Sequence, residues 1–418
     1  MISRVKGTHD FLDMRLFNFI KQVIDLQTAQ YHFKEISTPI LEHTDLFKRS
    51  LGLQTDVVSK EMFIIGDATR EDSICLRPEA TAPTMRAFLE HRDQLVTPWK
   101  VYSIGSMFRY ERPQKGRLRQ FHQATFEILD SEAIIQDSNF IKMLDRLFQE
   151  KFKLDNYALL INFLGCFEDR QKFKLVLNEF LNSVLDKICA FCLARKEHNI
   201  MRVLDCKTPT CKELYRNAPH IADNLCKPCL QEWQQLKDQL HVLSVSYSYS
   251  PSLVRGLDYY DKTVFEFVSD NLGAQTAFCA GGRYNRLARE LGSSLDVPSL
   301  GASIGIERLI LLLEPIIDRL QLPPEQPLAV IIPMAQEQQL LALLLADELQ
   351  AQSLCVDVLL DGGSLKKMMG KANKMGASYA IIIGVDEQAA RKVMIKKMTT
   401  GTEELVDQIA VADYLKKG

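Results

Sequence analysis

The 418-residue chain lacks the features that place a protein at a membrane or in an oxidising space. No apolar run approaches the roughly 20 residues needed to cross a bilayer. The opening MISRVKGTHDF carries no apolar leader core. These absences predict a cytoplasmic protein with no membrane partner. Cysteine is sparse, 10 in all, and six of these fall between Cys189 and Cys229. That bunching is unlike a secreted disulfide framework and more like reduced thiols. Excess charge is lacking too: 51 Lys and Arg against 53 Asp and Glu give a formal charge of −2. A nucleic-acid partner would therefore have to be met by a local basic patch. Neither G-x-x-x-x-G-K-[ST] nor G-x-G-x-x-G after a strand occurs, which excludes the P-loop and the dinucleotide fingerprint.

What is present is an ordinary globular composition, 46% hydrophobic, in a length suited to about two to four domains. Segment 14–33 has apolar residues at helical spacing, and 36-ISTPILEHTDLF-47 follows as an extended piece interrupted by Pro39. From 97 to 130 two strand-like runs flank the loop ERPQKGRLR, a long-looped antiparallel hairpin. Residues 165–245 are Lys- and Glu-rich, helical in period and Cys-studded, like an insertion. The stretch 320-LQLPPEQP-327 holds three prolines in eight residues and reads as a linker. Beyond it strands alternate with helices, predicting a small α/β domain with a mostly parallel sheet.

The chemistry-bearing residues are clustered. The hairpin loop supplies Arg109, Arg112, Lys115, Arg117 and Arg119 against the single acid Glu111. Guanidinium forks at such density suit a polyphosphate, and a solvated basic loop is the plain alternative. On the return strand Phe121, Gln123, Thr125 and Glu127 share one face, while His122, Ala124, Phe126 and Ile128 take the other. In 76-LRPEATAPTMRAF-88, Arg77, Glu79 and Thr81 are either a polar site or a helix start. The run 280-AGGRYNRLARELG-292 predicts a helix from near Arg283, behind two glycines that suit either ligand approach or a tight turn. Glu307 and Arg308 are the charged pair inside the apolar helix of 301-GASIGIERLILLLE-314. The strand 254-VRGLDYYDKTVFEF-267 opens on charged and phenolic residues that need partners or a ligand. Cys189-x2-Cys192 and Cys226-x2-Cys229 form two knuckles 33 residues apart, with Cys206-x4-Cys211 between them. Thiolates from Cys189, Cys192, Cys226 and Cys229 would make a closed structural Zn²⁺ site; reduced cysteines packed in a helical insertion are the alternative.

In this order the clusters resemble class II aminoacyl-tRNA synthetases, and within them the histidyl-tRNA synthetase family. FRYERPQKGRLRQFHQ is similar to motif 2, GIERLILLLE to motif 3, and ISTPILEHTDLFKRS to the dimer-forming motif 1. LVRGLDYY and AGGRYNRL are similar to the two stretches particular to the histidine-specific members. The resemblance implies an α+β fold: a six-stranded antiparallel catalytic sheet flanked by helices, over 1–165 and 246–320. A helical Cys-rich insertion, 166–245, would hold the tRNA acceptor arm, and 326–418 would be an α/β anticodon-binding domain. It implies ATP as a substrate with Mg²⁺ as its cofactor, L-histidine and tRNA(His) as partners, a homodimer and no editing domain. Arg109 would grip the α-phosphate, Arg308 the γ-phosphate, and Phe121 would stack on adenine, with Glu111 and Arg117 also at ATP. Glu79, Thr81 and Gln123 would surround the amino and carboxylate groups of histidine. Glu127 and Tyr260 would bracket its imidazole, and Tyr284 would close the pocket. Arg255 would touch α-phosphate and carboxylate together as a fixed catalytic charge, with Asp258 in support. Ala80 stands where the family has Gly, which requires a negative φ there. Lys366, Lys367, Lys371 and Lys374 at helical spacing would meet RNA phosphates, or form a solvated face. The rival reading is an inactive, histidine-sensing regulatory paralogue. Such paralogues erode the ATP arginines or lose the anticodon domain, whereas Arg109, Arg255, Arg308 and the terminal domain are present here. Light scattering at micromolar concentration is expected to give a dimer mass; a monomer would contradict the motif 1 assignment.

Overall fold

The computed structural model describes residues 2–53, 55–67, 73–257, 259–273 and 276–417. The chain divides into two compact units, Met1–Leu322 and Pro323–Gly418. In the first, α1 (Arg15–Gln30), β1 (Lys34–Glu35), β2 (Leu41–His43) and α2 (Thr44–Leu51) are followed by β3 (Phe63–Ile65) and β4 (Ile74–Leu76). Then come α3 (Thr81–His91), β5 (Trp99–Phe108), β6 (Gln120–Leu129), α4 (Ile135–Arg146) and β7 (Ala158–Phe163). Helices α5 (Phe167–Ser183), α6 (Ala190–His198), α7 (Pro209–Tyr215) and α8 (Lys227–Val242) make the inserted segment. The chain returns as β8 (Ser248–Tyr249), β9 (Asp261–Val268), β10 (Ala277–Arg283), α9 (Leu287–Glu290), β11 (Ser299–Gly305) and α10 (Ile306–Leu313).

The main sheet runs β1-β5-β6-β11-β10-β9-β7-β8. Its six central strands are antiparallel throughout, as expected. Two-residue strands, β1 against β5 and β8 against β7, add short parallel edges. Strands β2, β4 and β3 form a small separate sheet. Side-chain alternation then sorts the faces. Ala124, Phe126 and Ile128 of β6 and Phe265 and Phe267 of β9 enter one core, packed with Ile20, Ile24, Phe140 and Leu309 of the helices. Each fully buried Phe or Leu contributes about 1.5–3 kcal/mol. The opposite face carries Gln123 and Glu127 and is left for the cavity described below.

Three local expectations differ. The glycines of 280-AGGR are the end of β10 rather than a helix start. A Cβ on Gly281 would fall 2.3 Å from the Gly301 carbonyl oxygen, so glycine there lets β10 and β11 close. Only Leu287–Glu290 is helical. Residues 254–257, 259 and 260 precede the strand, which begins at Asp261, and Asp258 lies outside the described residues. In the second unit β12 (Leu328–Pro333), α11 (Gln336–Ala351), β13 (Cys355–Val358), α12 (Leu365–Lys374) and β14 (Tyr379–Ile383) are as patterned. After α13 (Val385–Ala390), β15 (Lys392–Lys397) and β16 (Glu403–Asp407) add an antiparallel hairpin before α14 (Val411–Lys417), so the sheet β13-β12-β14-β15-β16 is mixed.

Arg283, at the end of β10, fastens the sheet to the helical layer. Its Nε donates to both Asp137 carboxylate oxygens at 2.8 and 2.9 Å, and Nη1 and Nη2 donate to the carbonyls of Ser131 and Ala133. Both side chains are buried, so removing the acid strands a desolvated charge. Asp137→Ala is expected to cost about 3–5 kcal/mol. Urea unfolding read by tryptophan fluorescence reports on this unit alone, since Trp99 and Trp233 are the two tryptophans of the chain. A loss under about 1 kcal/mol would contradict the fastening role.

Candidate active site

A cavity of about 1030 Å³ opens over the polar face of β6, β9, β10 and β11. Ten of the predicted site residues line it: Glu79, Thr81, Arg109, Glu111, Arg117, Phe121, Gln123, Arg255, Tyr260 and Arg308. Glu127 and Tyr284 are fully buried behind that wall.

One end is cationic. Arg109 Nε donates to the Pro78 carbonyl at 2.9 Å, and its guanidinium lies 5.3 Å from the Phe121 ring centre. Arg308 Nε donates to the Gly116 carbonyl at 2.8 Å and Nη1 to that of Ala277 at 2.6 Å. Burial, then the like charges of Arg109 and Arg117, hold Arg308 below its usual proton affinity. Arg117 pairs with the buried Glu111. Three cations crowded where they repel one another form an anion site.

The other end is built on carboxylates. Glu79 accepts from the amides of Thr81 (2.7 Å) and Ala82 (2.8 Å), so it satisfies the first turn of α3, where the helix dipole favours negative charge. Ala80 has φ −112°, a conformation open to alanine, so the departure from Gly is harmless. Arg77 is not on the cavity; its Nη1 donates to the Thr38 carbonyl and hydroxyl and its Nε to the Ser106 carbonyl, tying this loop to β5. Behind the wall, the Thr81 hydroxyl donates to Glu127 Oε1 at 2.6 Å, and the Tyr284 hydroxyl donates to Oε2. Burial pushes the Glu127 carboxyl from 4.5 up to about 8. Gln123 Oε1 is buried and has no hydrogen-bond partner among the described residues. Tyr259 and Tyr260 pack in a tilted pair with ring centres 4.6 Å apart. Arg255 lies 5.4 Å from the Tyr260 ring centre and pairs with Glu266. Burial disfavours the charge, but Glu266, Tyr260 and Tyr259 together outweigh it and raise the guanidinium above its usual proton affinity.

The cysteines do not assemble as the spacing suggested. Cys189 and Cys192 meet Cys206 and Cys211, whereas Cys226 and Cys229 meet Cys166 and Asp169. The reason is topological. Cys166 and Cys226 are the N-caps of α5 and α8 at the neck of the insertion, and Cys189 caps α6 further out.

The histidyl-tRNA synthetase family model matches residues 18–309, and the anticodon-binding domain model matches 328–418. The chain belongs to the histidyl-tRNA synthetase family. It is 42% identical over 421 residues to a histidine–tRNA ligase of Nitratidesulfovibrio vulgaris, spanning 99% of this chain and 98% of that one. A histidine–tRNA ligase of Syntrophotalea carbinolica is 39% identical, spanning 96% and 95%. The apo histidyl-tRNA synthetase of S. aureus superposes with TM-score 0.80 at 32% identity, over 100% of each chain.

Within this family framework, some cavity residues escaped the sequence reading. Glu266 is one; an acid flanked by phenylalanines on a core strand is the signal that could have found it. Arg202, Lys207, Lys212 and Arg216 of the insertion also face the cavity, and no local pattern announces them.

The Glu127 shift has a sign. A folded-state pKa raised above the unfolded value gives stability that is full below 4.5 and lost as pH rises through about 8. Over that window the urea midpoint of the parent chain is expected to fall more steeply than that of Glu127→Gln. Equal slopes would contradict the burial of a protonated carboxyl.

Proposed function

We propose that the first unit activates L-histidine with ATP to histidyl-adenylate and pyrophosphate, and that the whole chain then transfers the histidyl group to tRNA(His), releasing AMP. The observation that carries this reading is one cavity with Arg109, Arg117 and Arg308 at one end and, at the other, the wall residue Thr81 bonded to the Glu127 carboxyl buried just behind it. ATP binds with its phosphates along the arginines and its adenine on Phe121. Magnesium comes with the phosphates, and Glu111 and Glu266 are wall oxygens of the type it takes. Glu79, Thr81 and Gln123 meet the amino and carboxylate groups, the orphaned Gln123 oxygen gaining its partner there.

Tyr260 and Glu127 read the imidazole. A ring with one donor and one acceptor nitrogen matches a carboxyl that can hold or release its proton near neutrality. Tyr284 orients Glu127 from behind rather than closing the pocket. Arg255 supplies fixed positive charge where charge develops on the α-phosphate. The insertion and the lysines of α12, all four exposed, meet tRNA phosphates. The enzyme works as a cytoplasmic homodimer joined through residues 36–50.

Histidine-dependent ATP–pyrophosphate exchange tests the reading. Robust exchange that requires histidine is expected, whereas histidine binding without exchange would make the chain a sensor instead. Arg255→Ala is expected to lower the exchange kcat by about 100-fold or more, with a much smaller change in the histidine KM. Near-normal exchange would remove Arg255 from the chemistry.

A further inference from the structure

We infer that Cys189, Cys192, Cys206 and Cys211 form a closed structural zinc site in the inserted segment. Their four sulfurs lie within 4.8 Å of one another. The Cys189 and Cys206 sulfurs are 3.8 Å apart, and tetrahedral Zn²⁺ with Zn–S bonds of roughly 2.3 Å requires an S–S edge of about 3.8 Å. A disulfide would need about 2.05 Å. The Cys189 amide donates to the Cys211 sulfur at 3.3 Å, the bond that favours a thiolate acceptor. Cys192, Cys206 and Cys211 are buried and Cys189 half-buried, so water does not compete for the metal.

The elements that carry the four cysteines are short. Cys192 and Cys211 sit on α6 and α7, Cys189 is the N-cap of α6, and Cys206 directly follows the two-turn 3₁₀ segment Ile200–Asp205; these elements have 9, 7 and 6 residues. Pieces this short are marginal as isolated helices and depend on tertiary contacts, here the burial of Met201, Val203, Leu204 and Tyr215, to which a metal would add a fixed cross-link. The neck cluster has another account: Asp169 accepts from the Cys226 amide at 2.9 Å and the Cys166 amide at 3.3 Å, closing the cap of α5 without a metal. Zinc at the outer cluster clamps the stretch that carries Arg202, Lys207, Lys212 and Arg216 to the cavity wall. Resting on the function proposed above, those cations are placed for the phosphodiester end of the charged RNA.

Metal analysis of the full chain purified without chelator is expected to give about one equivalent of zinc or more. Cys189→Ser is expected to lose one equivalent and Cys189→His, which still offers a ligand, to keep it. Growth in cobalt should give the visible absorption of tetrahedral thiolate-bound Co²⁺, a readout independent of whether a variant folds. Less than about half an equivalent in the parent, or a content unchanged by Cys189→Ser and abolished by Cys226→Ser, overturns the inference. Metal content is measured apart from exchange, so a chain that holds zinc but shows no exchange would sink the function and leave this site standing.

Discussion

A carboxylate cut off from water is the constraint around which this site is organised. Glu127 lies mid-strand on β6, and ionising it there is costly unless donors surround it. The donors come from two distant segments, Thr81 on α3 and Tyr284 just after β10. Room for the group depends on a third: a Cβ on Gly301 of β11 would fall 1.6 Å from Glu127 Oε2. The strand order β6-β11-β10 thus brings an acid, a space and a phenol together. The same arrangement explains why Tyr284 sits behind the wall, since its amide donates to the Ser299 carbonyl and extends the β10–β11 pairing.

The arginines of the cavity use two kinds of anchoring. Arg109 and Arg308 are held chiefly by neutral carbonyls of Pro78, Gly116 and Ala277. Carbonyl partners fix direction while leaving most of the positive charge available to an anion. Arg117 and Arg255 are instead held by Glu111 and Glu266, pairs that a phosphate or carboxylate ligand must share. Fixed charge of this kind needs little reorganisation when charge develops on the substrate, which is how electrostatic preorganisation lowers a barrier.

Much of this was legible from period and order. The two-residue alternation of 121–128 assigned Gln123 and Glu127 to one face and Phe126 to the core, because a sheet covered on one side imposes that pattern. The arginine loop was legible through density alone. What escaped depended on contacts between distant segments. The run 280-AGGR suggests a helix from near Arg283, behind its glycines, because nothing local reveals the Gly301 and Thr263 carbonyls that lie against Gly281 and Gly282. Two C-x-x-C pairs suggested one metal site, yet the helix starts at Cys189 and Cys226 lie at different levels of the insertion. Glu266 was not singled out, because its partner Arg255 is brought to it only by the fold.

The central claim is that a buried carboxyl reads the ring nitrogens of histidine. It is tested most directly by comparing kcat/KM in ATP–pyrophosphate exchange for histidine and for 2-thienylalanine, a ring of similar size with no nitrogen. A site built to hydrogen-bond the ring should favour histidine by about 10⁴-fold or more, because the analogue leaves buried polar groups unpaired. A preference within about tenfold would mean that shape alone selects the substrate, and the account of Glu127 would fail.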